Sequence, residues 1–62
     1  MNDIIAIGTV VRTSGGNIGR VKRLYRDAVD HTLYADVLLY TGPNVGTVVT
    51  EIPVDFLVRQ EA

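Results

Sequence analysis

The chain has no cysteine, no tryptophan, a single phenylalanine and a single histidine in 62 residues. Without cysteine there is no disulfide and no thiolate metal site, and His31 alone builds no metal centre unless several carboxylates converge on it. No apolar run approaches the ~20 residues that span a bilayer, and the opening Met1-Asn2-Asp3 has the wrong charge for a secretory leader. No Asn-x-Ser/Thr sequon or lipidation motif is present, so a cytoplasmic protein is expected. A basic excess is missing too: six Lys and Arg stand against seven Asp and Glu. That balance disfavours a general nucleic-acid binder.

What remains is a short, apolar chain. A length of 62 residues allows one domain, spanning 1–62, and a domain this small supplements a thin core with disulfides, a metal or self-association. With disulfides excluded and no metal site in evidence, self-association is the remaining staple. The hydrophobic fraction of 47% is high for so little interior, which points to apolar side chains that face a partner. Charge is unevenly spread. Arg12, Arg20, Lys22, Arg23 and Arg26 come with no acid among them, and Asp27, Asp30, Asp36, Glu51, Asp55 and Glu61 follow.

Turn formers divide the chain into short strands. Val10–Thr13 reads as a strand, closed by Ser14-Gly15-Gly16-Asn17, whose residues tolerate positive φ. Ile18–Arg26 reads as a second strand, in which Gly19 marks a bulge or a close backbone approach. Asp27–Thr32 is a loop with two cap-like aspartates. Leu33–Tyr40 is rich in aromatic and branched residues and ends at Thr41–Gly46, a run of turn formers. Thr47–Ile52 is nearly all β-branched, Pro53 ends it, and Val54–Leu57 suits one 3₁₀ turn before a last strand around Val58–Gln60. Residues 2–7 fit either an edge strand or a cover over one end. Five strands without a helical period predict an all-β fold, a small barrel or sandwich.

The order Gly8-Thr9-Val10-Val11-Arg12, Gly19-Arg20-Val21, Tyr34-Ala35-Asp36-Val37 and Pro53-Val54-Asp55-Phe56-Leu57 is similar to the SH3-like barrels of bacterial and plastid accessory proteins. These include the ferredoxin-docking photosystem I subunit, the variable chain of ferredoxin–thioredoxin reductase, KOW-type domains and the plasmid-borne type II dihydrofolate reductases. The resemblance implies a five-stranded SH3-like barrel with a short 3₁₀ turn before the last strand. The reductases line a shared pore with a Val-Gln-Ile-Tyr strand. The matching stretch here, Val48-Val49-Thr50-Glu51-Ile52, lacks the Gln and Tyr and carries an acid. A pore enzyme is therefore the least favoured function, though a ring-like assembly still fits.

No nucleophile–base pair can be assembled, and no catalytic residue, metal ligand or cofactor is assigned. Ser14–Gly19 lacks the Gly-Lys-Ser/Thr of a phosphate loop and reads as a hairpin turn. Asp27, Asp30 and Asp36 match no Ca²⁺ loop and read as solvated or charge-pairing. Arg20, Lys22, Arg23 and Arg26, with Tyr25 nearby, form a candidate nucleic-acid strand; the competing reading pairs them with Asp36, Glu51 or Asp55. On the third long strand Ala35, Val37 and Leu39 suit the core, which leaves Tyr34, Leu38 and Tyr40 on the other face beside Asp36. That second apolar set needs cover from the Ile4–Ile7 segment or from another molecule. The leading expectation is a non-enzymatic adaptor or accessory module that self-associates through Tyr34, Leu38 and Tyr40.

Overall fold

A computed structural model describes residues 4–60. The elements run β1 (Val10–Arg12), β2 (Ile18–Arg26), β3 (Leu33–Leu39), β4 (Val48–Pro53), a 3₁₀ turn (Val54–Phe56) and β5 (Val58–Arg59). They form one antiparallel sheet in the order β4-β3-β2-β1-β5. The all-β fold and the 3₁₀ turn before the last strand are as expected. No pairing joins β4 to β5 among the described residues, so the sheet keeps two edges.

Each strand ends where backbone chemistry requires it. Between β1 and β2 the Thr13 N–H donates to the Asn17 carbonyl at 2.8 Å, and Gly16 takes φ +88°, a conformation only glycine adopts without strain. The β2–β3 loop is tied by Asp27 Oδ1, which accepts from the Val29 and Asp30 amides, and by Asp30 Oδ1, which accepts from Thr32. Both aspartates thus act as turn builders. Pro53 closes β4 as its last residue, opposite Tyr34. Sequence reasoning stopped the strand one residue earlier, but β4 is an edge strand, where a missing donor is tolerated.

The core lies on one face. Val11, Val21, Ala35 and Val37 are fully buried, Leu39 and Leu57 nearly so, and Ile5, Leu24, Ile52 and Val54 pack against them. Registers Val21↔Val37, Leu24↔Ala35, Ala35↔Ile52 and Val37↔Val49 stack these side chains across three strands. The 3₁₀ turn, closed by the Leu57 N–H on the Val54 carbonyl at 2.9 Å, brings Leu57 under the sheet. Of the N-terminal segment, Ile4–Ile7 forms no strand; Ile5 packs on the core while Ile4 and Ile7 stay exposed. Residues 2 and 3 lie outside the described residues.

Gly19 is a close approach and not a bulge. A Cβ there would sit 2.5 Å from the Leu38 carbonyl oxygen and 2.6 Å from a Val37 methyl. The bulge lies three residues later: Val21 pairs with Val37 and Arg23 with Asp36, which leaves Lys22 as the extra residue. A second irregularity faces it on β4, where Thr50 and Glu51 together oppose Asp36, between Ala35↔Ile52 and Val37↔Val49. Glu51 takes φ +59° to make that bend.

Candidate functional site

The outer face of the sheet gathers the apolar candidates with Arg20 and Arg23 of the basic set. Tyr34 and Leu38 share a parity on β3, Tyr40 follows one residue past its end, and register sets Tyr25 opposite Tyr34, Arg23 opposite Asp36 and Arg20 opposite Leu38. From β4, Pro53 lies opposite Tyr34 and Val48 opposite Leu38. The apolar set and much of the basic set therefore interdigitate on one surface.

Most of the cations are already engaged. Arg20 Nε donates to Tyr40 Oη at 2.7 Å, its Nη1 donates to the Gly8 carbonyl at 2.8 Å, and its guanidinium lies 5.8 Å from the Tyr40 ring centroid. Arg23 lies 3.5 Å from Asp36 and 4.9 Å from the Tyr25 centroid. Arg26 sits in register with Leu33, on the parity of Leu24 rather than Tyr25, and donates to the His31 carbonyl. Lys22 projects from the bulge, exposed. The four cations do not share one face: Arg20 and Arg23 lie on the outer face, Lys22 is the extra residue of the bulge, and Arg26 has the parity of Leu24.

Sequence reasoning missed the depth of Asp36, which is only 4% exposed. Its Oδ1 accepts from Tyr25 Oη at 2.9 Å and from the Glu51 amide at 3.2 Å, and the same amide lies 3.0 Å from Tyr25 Oη. This three-way contact fastens the β4 bend to the middle of the sheet. Among the described residues no buried side-chain polar atom lacks a partner, so the carboxylate is satisfied despite its burial. A lone acid in an otherwise apolar strand was the available signal. Its partners depend on two bulges, which the sequence does not display.

Beside this pin a cavity of about 310 Å³ is lined by Tyr25, Asp27, Tyr34 and Glu51. The two rings stack at 6.0 Å with an interplanar angle of 25°, and Tyr34 Oη lies 3.3 Å from Asp30 Oδ2. Partial desolvation, then the hydrogen bond and charge of Asp36, hold the Tyr25 phenol above its ordinary value. Desolvation followed by the Asp30 charge does the same for Tyr34. Asp30 moves the opposite way, held below the usual carboxylate range first by the Thr32 amide.

Compared with protein-family models, curated proteins and solved structures, the chain matches none. Function must be read from the surface alone.

At the other end of this face the chain is apolar and partly exposed. Tyr40 is 43% exposed and Val48 45%, and on the core side Val49 is 36% exposed, β4 being the end strand of the sheet among the described residues. A second cavity, about 270 Å³, opens there between the Thr13–Asn17 turn and Leu39, Val49 and Ile52. The strand matched to the reductase pore is thus an exposed edge, with Glu51 at its bend. Among the described residues no helix is long and apolar enough to cross a membrane.

Proposed function

We propose that this chain is a non-enzymatic binding module of SH3-like barrel architecture that self-associates through the outer face of β3 and the adjoining edge of β4. The strand order β4-β3-β2-β1-β5 with a 3₁₀ turn between β4 and β5 supports the architecture. One observation carries the self-association: β4 is exposed on both faces along Val48–Glu51 and, among the described residues, has an unpaired backbone edge. A β-branched edge without charge from Thr47 to Thr50 is a template for another strand.

A second copy is the occupant that fits. Fully buried side chains come from a handful of residues, cross-links are absent, and an isologous contact would cover Leu38, Tyr40 and Val48 on both subunits at once. Tyr34 is engaged elsewhere, since its ring stacks on Tyr25 at the far end of this face. The nucleic-acid alternative loses support from the engagement of Arg20, Arg23 and Arg26.

Light scattering behind a sizing column tests the proposal. The protein is expected to elute as a dimer or larger species, and Val48→Lys as a monomer with an unchanged β circular-dichroism spectrum. A strict monomer at every concentration defeats it.

A further inference from the structure

The Tyr25–Tyr34 cavity presents aromatic faces and oxygen acceptors, and its lining side chains have no donor to spare. Tyr25 gives its hydroxyl proton to Asp36 and Tyr34 gives its own to Asp30, which leaves the Tyr34 oxygen lone pairs as acceptors. The other lining groups are carboxylates. Asp27 is occupied by two loop amides, whereas the Glu51 carboxylate has no hydrogen-bond or ion-pair partner among the described residues. Desolvation first, and then the neighbouring Asp36 and Asp30 carboxylates, hold both phenols above their ordinary value.

Such a surface selects its ligand by chemistry. An anion would be repelled by the carboxylates and a neutral donor would leave their charge unbalanced, whereas a cation that brings several N–H donors meets both the charge and the acceptors. The stacked rings, 25° from parallel, put aromatic carbon in the lining, and a planar guanidinium stacks on an aromatic face better than a spherical ammonium does. The fold itself shows the pairing: the Arg23 guanidinium lies 4.9 Å from the Tyr25 centroid. A volume near 310 Å³ exceeds the ~30 Å³ share of one water about tenfold, enough for such a head group.

We infer that this cavity binds an arginine side chain presented by a partner protein, its guanidinium between the Tyr34 ring and the Glu51 carboxylate. The site lies at the opposite end of the outer face from Tyr40 and Val48, so it stands whichever way the self-association test falls.

Nuclear magnetic resonance titration of the labelled protein with Nα-acetyl-arginine methylamide, and with the uncharged isostere Nα-acetyl-citrulline methylamide, tests it. The arginine probe is expected to move the Tyr25 and Tyr34 ring signals and the Glu51 amide along a saturable curve, with citrulline producing no saturable shift. Glu51→Gln, an exposed change that keeps the backbone amide on Asp36, should weaken arginine binding by about two- to fivefold. Equal responses to the two probes, an arginine response centred elsewhere, or undiminished binding in a folded Glu51→Gln protein would overturn the assignment.

Discussion

Asp36 and Gly19 sit on adjacent strands, and each is irreplaceable for a different physical reason. Replacing Asp36 with Ala takes the acceptor from the Tyr25 hydroxyl and leaves the Glu51 amide on Tyr25 Oη alone, at a cost of about 2–4 kcal/mol. Arg23 matters far less. Its side chain is 69% exposed, so Arg23→Ala should cost under about 1 kcal/mol, whereas Tyr25→Phe, which removes a bond to a buried charge, should cost about 1.5–3 kcal/mol. Urea denaturation of the three variants checks that order, and an Arg23→Ala loss as large as that of Asp36→Ala would contradict it. Gly19→Ala drives a methyl into backbone on β3, which cannot yield like a flexible side chain, and should cost at least about 1–3 kcal/mol. His31 offers the reverse case at φ +62°. Relief of left-handed strain, roughly 1–2 kcal/mol, outweighs the roughly 0.4–1 kcal/mol of added chain entropy, so His31→Gly should raise the urea midpoint. The special role of Gly19 was legible, because a glycine inside an apolar strand adds nothing to the core and weakens the strand unless a neighbouring backbone needs the space. That of Asp36 was not, since an acid's burial depends on partners from two other strands.

At the scale of elements, turn chemistry made the strands readable. β2 begins and ends where the Gly-Asn turn and Asp27 place it, and β3 and β4 shift by only one residue from their expected bounds. The bulges hid the facing. Strict alternation from Val21 sends Arg23 and Tyr25 inward and Leu24 outward, and Lys22 as an extra residue restores Leu24 to the core. The loop and the tyrosines it meets also set the response to pH. Tyr25 and Tyr34 keep their protons above the ordinary phenol value of 10.0, so the unfolded chain releases protons first as pH rises. Stability present at neutral pH should therefore fall from about pH 10 upward, and Tyr34→Phe should blunt the fall. Asp30 works in the opposite direction: held below 3.8, it contributes stability that is lost as the solution is acidified past that value. Urea midpoints measured across both limbs, with Asp30→Asn as the control for the acid limb, test both signs.

For the whole molecule, the deciding quantity is how little is buried. Sequence length and composition already implied a core in need of help, and the fold leaves β4 exposed at a sheet edge, where a second copy is proposed to attach. If a second copy supplies it, the thermal midpoint must rise with protein concentration, because mass action favours the assembled state. Val48→Lys should abolish that dependence, and a midpoint independent of concentration in the parent protein would count against assembly. The identity of any other partner was illegible in the sequence, since a surface of branched residues and engaged arginines carries no signature of its own.

The pair of irregularities that bracket Asp36 has a further consequence, for how this chain can change in length. Excising Lys22, or one of Thr50 and Glu51, would straighten its strand yet keep every neighbouring residue on its present side. A single-residue loss in the regular stretch between Leu33 and Leu39 would instead turn the molecule inside out from that point onward.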